Sequence, residues 1–127
     1  MSLQTSKPAM ESNEGPAKTS FLKMNEIKKI GVVGAGQMGN GITQVAAAAG
    51  FSVIMMDVSE KALEKGLLTI KNSTDKLTQK NLLSALDRES LLSQIKTTTK
   101  MDDLKDVDVV IEAATENIEL KLKIYIF

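Results

Sequence analysis

Residues 28–57, KKIGVVGAGQMGNGITQVAAAAGFSVIMMD, change periodicity twice within thirty residues. The stretch opens on a β-branched run closed by glycine, IGVVG, which suits a strand buried on both faces of a parallel sheet. Met38, Ile42, Val45, Ala46 and Ala49 then recur at three- and four-residue spacing, the pattern of a helix laid on a sheet, and Gly50 fits its C-terminal stop. FSVIMMD, residues 51–57, is a second strand. Strand, helix and strand in so short a span make a βαβ unit, whose crossover is right-handed.

The pattern continues outward from this unit. Ser59 is placed to cap a long helix whose inward stripe is Leu63, Leu67, Ile70, Thr74 and Leu77. A shorter helix is expected from Asp87 to Gln94. IKTTT (95–99) and VDVVIEAA (107–114) read as third and fourth strands, and ENIELKLKIYIF (116–127) reads as the start of a last helix with Leu120, Ile124 and Phe127 on one apolar face. The expected fold is therefore α/β, a Rossmann-type doubly wound parallel sheet, incomplete, with about four strands and flanking helices. Residues 1–25 are rich in Ser, Thr, Lys, Pro and Gly and lack a period, so they are expected to form a flexible tail. Residues 26–127 are expected to form one partial domain of this Rossmann type.

Composition narrows the function classes. Sixteen basic residues balance sixteen acidic ones in 127, so no global field points to nucleic acid or an anionic membrane. No cysteine is present, which removes disulfides and thiolate chemistry and fits a reducing compartment, the cytoplasm. The N-terminal residues lack the apolar segment of a secretory signal, and no uncharged run reads as a membrane span. Histidine is also absent, and with it the commonest general acid/base at neutral pH.

Gly34, Gly36 and Gly39 form GxGxxG where the first strand turns into the helix. The first glycine permits the tight turn, the second lets the backbone approach a pyrophosphate, and the third lets helix and strand pack closely. The helix N-terminus supplies free N–H groups and about half a positive charge to a phosphate. Asp57 ends the second strand roughly twenty residues on, where a carboxylate accepts both hydroxyls of an adenosine ribose. Val58 and Ser59 follow, with no arginine for a 2′-phosphate, which favours NAD over NADP. The expected cofactor-binding residues here are Gly34, Ala35, Gly36, Gln37, Met38, Gly39 and Asp57.

KIGVVGAGQMGNGITQVAAAAGFSVIMMDVS, a lysine-bearing helix, and then VDVVIEAATENIELKLKI together resemble the NAD-binding domain of the 3-hydroxyacyl-CoA dehydrogenases, a family that includes the 3-hydroxybutyryl-CoA dehydrogenases. The resemblance covers about residues 27 to 125; GAGQMG with its Asp and the IEAxxEN segment are its most specific parts. It implies oxidation of the 3-hydroxyl of an acyl-CoA to a ketone with hydride passed to NAD, or the reverse. It also implies that Glu116 and Lys121 lie against the cofactor, the lesser alternative being a helix-start carboxylate and a solvated lysine. It further implies that Ser73 and Lys80 contact CoA. Their seven-residue spacing puts both on one helix face with Lys76 between, which fits either a grip on CoA phosphates or a solvated face. Family members of full length are homodimers by the same resemblance.

In that family the base is a histidine paired with a glutamate, in segments beyond IEAxxEN. No catalytic residue is therefore assigned in this chain. The expected function is the NAD-binding portion of such a dehydrogenase, truncated or frameshifted and inactive alone, with a bare edge strand. The alternatives are a stand-alone NAD- or CoA-binding module and a fragment of a β-hydroxyacid dehydrogenase, a group that shares GxGxMG.

Overall fold

The computed structural model describes residues 26–113 and 123–127. Its elements follow in the order β1 (Lys29–Val33), α1 (Gln37–Ala48), β2 (Ser52–Met56), α2 (Glu60–Gln79), α3 (Ala85–Ser93), β3 (Ile95–Thr98), a 3-10 turn (Met101–Leu104), β4 (Val109–Glu112) and β5 (Lys123–Ile126). The sheet order is β3-β2-β1-β4-β5. The chain starts at the centre, winds out through β2 and β3, and returns to lay β4 on the other side of β1, with these four strands parallel. This is the doubly wound Rossmann arrangement, and the reversal of direction opens a crevice at the carboxyl ends of β1 and β4.

Alternation along the strands divides the core between the two faces. Ile30, Val32, Val53, Met55 and Val109 point to the face covered by Ala46 and Ala47 of α1, Leu63 and Ile70 of α2, and Leu91 of α3. Val32, Val53, Met55 and Ile70 are wholly buried, and such side chains stabilise by roughly 1.5–3 kcal/mol each. Val33, Ile54 and Val110 turn to the opposite face, where Met56, Leu104 and Val107 form a smaller cluster. Beside it an open apolar hollow of about 320 Å³ is lined chiefly by Val33, Met101, Leu104, Val110, Tyr125 and Phe127.

The helices begin and end where local chemistry dictates. The Ser59 hydroxyl accepts from Ala62 N–H at 3.1 Å and that of Ser84 from Asp87 N–H at 3.0 Å, so both longer-range crossover helices carry a side-chain cap. Helix α2 closes after Lys80 through left-handed Asn81, at φ 62°. Arg88 of α3 reaches back to α2, donating from Nε to Thr74 Oγ1 and from Nη2 to the Lys71 carbonyl, each at 3.1 Å.

Three expectations need correction. Residues 123–126 are not helical: they form β5, antiparallel to β4, so the β4 edge is paired rather than bare. Ile124, Tyr125 and Ile126 are β-branched or aromatic, and the open ladder of β4 offers their backbone partners that a helix there would forgo. The sheet consequently has five strands. On α1 the buried stripe is Gly39, Thr43, Ala46 and Ala47, while Val45 is 71% exposed and Ala49 lies at the surface. Ala46 and Ala47 face the sheet together with Thr43, and Met38 and Ile42 pack at the margin of the same core. The short helix also starts earlier than expected, at Ala85 behind its Ser84 cap.

Asp108, just before β4, takes the two amides at the entry to β1: its Oδ2 accepts from the N–H of Lys28, just before the strand, and of Lys29, its first residue, both at 2.9 Å. These bonds, with smaller help from the two lysine charges, hold its pKa below the usual carboxylate range. A carboxyl whose pKa is lower folded than unfolded stabilises the fold at pH values above its unfolded pKa and loses that contribution as pH falls through the folded one. Thermal melts of the parent between neutral pH and about pH 3 should therefore fall in the acid range, and the Asp108→Asn variant should show a shallower acid decline from a lower neutral Tm. Identical pH profiles for the two would remove the clamp assigned to this side chain.

Candidate functional site: the glycine turn between β1 and α1

At the carboxyl end of β1 the chain passes through Gly34 at φ 110°, a backbone conformation that L side chains rarely adopt, and Gly34 N–H donates to the Met56 carbonyl at 2.7 Å. A Cβ built on Gly39 would lie 1.8 Å from the Gly34 carbonyl oxygen, so the first turn of α1 rests directly on the end of β1. Gly36 is different. A Cβ there meets no protein atom within 4 Å, and its φ of −69° is open to any residue. Packing of this chain does not require glycine at that position.

Gly36 is also the N-cap of α1, with no side-chain cap and no acidic residue in the first turn. The other two α-helices among the described residues have Ser caps and an acidic first turn, Glu60 in α2 and Asp87 in α3. Helices α2 and α3 answer their positive ends with side chains of the chain itself, and α1 does not. Ala35 and Gly39 are buried, Met38 is half-buried, and Gln37 is exposed beside Gly36.

Asp57 stands one strand away and is half-buried. Its Oδ2 accepts from Ala35 N–H at 3.0 Å and its Oδ1 from Ser59 N–H at 2.9 Å. Each bond uses one lone pair, so acceptor capacity for two ribose hydroxyls remains. Gly34, Ala35, Gly36, Gln37, Met38, Gly39 and Asp57 are thus brought together at the carboxyl edge of the sheet.

Ser73 and Lys80 lie apart from this cluster, with Lys76 between them. They share an open groove of about 490 Å³ along α2 with Thr69, Asn72 and Leu77. Ser73 Oγ accepts from Gln44 Nε2 of α1 at 3.1 Å. Sequence reading passes over Gln44, whose polar tip on a helix surface gives no signal of a partner on another helix. Glu116 and Lys121 lie outside the described residues.

The model of the NAD-binding domain of 3-hydroxyacyl-CoA dehydrogenase matches residues 29–126. The chain belongs to the 3-hydroxyacyl-CoA dehydrogenase family. Within that family it is similar to 3-hydroxybutyryl-CoA dehydrogenase of Bradyrhizobium diazoefficiens, with 48% identity over 99 residues, 78% of this chain and 34% of the relative. A probable 3-hydroxyacyl-CoA dehydrogenase of Caenorhabditis elegans is 39% identical over 114 residues, covering 84% of this chain and 38% of that one. Among solved structures, (S)-3-hydroxybutyryl-CoA dehydrogenase from Ralstonia eutropha superimposes with a TM-score of 0.70 at 50% identity, over 72% of this chain and 32% of that one. The chain thus spans about a third of the length of these dehydrogenases, and its matched part is their NAD-binding domain.

The glycines of this dehydrogenase domain should separate in a stability measurement. Gly39→Ala forces backbone apart and should lower the unfolding free energy by about 1–3 kcal/mol or more, whereas Gly36→Ala should change it by less than about 1 kcal/mol, the scale of an N-cap substitution. Urea unfolding followed by circular dichroism reads both. A Gly36→Ala loss as large as that of Gly39→Ala would show that Gly36 is there for packing.

Proposed function

We propose that this chain is the cofactor-binding part of an NAD-dependent 3-hydroxyacyl-CoA dehydrogenase, which oxidises a (3S)-3-hydroxyacyl-CoA to the 3-oxoacyl-CoA or runs the reverse. The open space over Gly36 at the uncapped start of α1 carries this reading, because it is the one glycine of the three that the fold itself does not need. NAD bound there supplies the hydride acceptor. The backbone of Gly34–Gly39 holds the pyrophosphate, and Asp57 takes the adenosine ribose and opposes a 2′-phosphate by charge. Glu116 and Lys121 are assigned to the cofactor by the family resemblance alone.

The groove on α2 is assigned to coenzyme A. Lys76 and Lys80 supply cations for its phosphates, Leu77 an apolar wall, and the Ser73 hydroxyl retains its proton for a ligand while it accepts from Gln44. Taking the proton from a secondary alcohol needs a base poised near neutral pH, and the chain contains no histidine. We therefore assign it binding and orientation, with no proton transfer. No helix among the described residues is long and apolar enough to cross a membrane, and we place the protein in the cytoplasm as part of a homodimeric enzyme.

Two variants test the assignment by titration calorimetry. Asp57→Asn should weaken NAD by about tenfold or more, as expected for a lost charged hydrogen-bond acceptor. Lys80→Ala should leave NAD unchanged and weaken CoA by roughly two- to fivefold, the scale of one exposed charge pair. Equal loss of NAD affinity in both would sink the separation of the two sites. In addition, the purified 127-residue chain should not turn over acetoacetyl-CoA with NADH, and detectable turnover would refute the argument from the missing histidine.

A further inference from the structure

Helix α2 touches the glycine turn at a point where it has no side chain. Gly66 is buried in the middle of this twenty-residue helix, a position where glycine weakens the helix relative to alanine. A Cβ built there would lie 2.6 Å from the Ala35 carbonyl oxygen, 3.4 Å from Ala35 Cβ and 3.5 Å from Asn40 Cβ. Ala35 is the residue between the first two glycines of the motif. Its N–H donates to Asp57 Oδ2 at 3.0 Å, and its carbonyl accepts from Asn40 Nδ2 at 3.4 Å on the same side as Gly66. The turn is therefore held at both ends, by the carboxylate assigned to the ribose and by the bare backbone of α2.

We propose that Gly66 is a positioning residue for the dinucleotide: by omitting a side chain it lets α2 set the height of the Ala35–Gly36 peptide, and so the spacing between the pyrophosphate turn and Asp57. This deepens the NAD reading and rests on it. The atom that a methyl group would strike is a backbone oxygen, so no rotamer change relieves the contact. Either the Ala35 carbonyl shifts and carries Gly36 with it, or α2 lifts. The second movement pulls on Asp57 too, because Asp57 Oδ1 is bonded to Ser59 N–H at the start of α2. In both cases the phosphate contacts and the ribose contact no longer match one low-energy conformation of the dinucleotide, while a ligand that uses only one of them still fits.

The test compares NAD with adenosine, which lacks the phosphates, by amide-shift titration of the parent chain, Gly66→Ala and a control, Gly41→Ala. Gly41 lies on α1 with open space around an added Cβ. Gly66→Ala should lose about tenfold or more in NAD affinity with adenosine changed by less than about twofold, and Gly41→Ala should change neither. NAD affinity of folded Gly66→Ala within about twofold of the parent, or equal losses for NAD and adenosine, overturns the proposal. Should Gly66→Ala fail to fold, Asn40→Ala releases the same carbonyl without a clash. A selective loss of NAD affinity then supports the proposal and an unchanged affinity overturns it. A parent chain with no affinity for NAD removes the cofactor reading itself, a result visible before any variant is made.

Discussion

The backbone contact between Gly39 and Gly34 is the constraint from which the rest of the site follows. With no Cβ between them, the first turn of α1 settles onto the end of β1, and the N-terminus of the helix is aimed past the sheet at the point where strand order reverses. A helix held that near at one end stays near along its length. Thr43, Ala46 and Ala47 are buried beneath it, Met38 and Ile42 pack at its margins, and Val45 is turned outward. The same tight layering recurs one helix further out, where α2 comes against Ala35 only because position 66 is glycine.

Electrostatics then separates helices that are geometrically alike. Serine caps and early carboxylates satisfy the starts of α2 and α3 from within the chain, while α1 begins on a glycine with no acid in its first turn. Asp57 joins the two systems. One oxygen fixes the turn that opens toward solvent, the other fixes the start of α2, and the carboxylate itself sits at the mouth of the crevice. A single side chain thus aligns two βα connections and presents negative charge where a ribose is expected.

Much of this was legible in the sequence because the signals are local. β1, β2 and the helix between them announce themselves by period, and GxGxxG gains its meaning from falling at a strand-to-helix turn. Four parallel strands and the placement of Gly34–Gly39 beside Asp57 agree with that reading. The segment after Lys121 did not yield to the same logic. Leu120, Ile124 and Phe127 have helical spacing, but Ile124–Tyr125–Ile126 also has strand propensity, and the decision came from a vacant ladder on β4 that no local window contains. Gly66 escaped for a related reason. An isolated glycine in a helical pattern reads as a weak spot, and only the neighbour across the gap shows what it is for.

The clamp between Asp108 and the amides of Lys28 and Lys29 joins residues 80 and 79 positions apart. β1 lies at the centre of the sheet, yet one of its two ladders and the two amides at its entry take their partners from distant sequence. The β1-α1-β2 unit closes over a short stretch of chain, whereas the central seam demands a long loop closure whose entropy must be met before its bonds form. The two walls of the crevice are thus of different kinds: the glycine turn is built from contacts near in sequence, and the wall contributed by β4 from contacts distant in sequence.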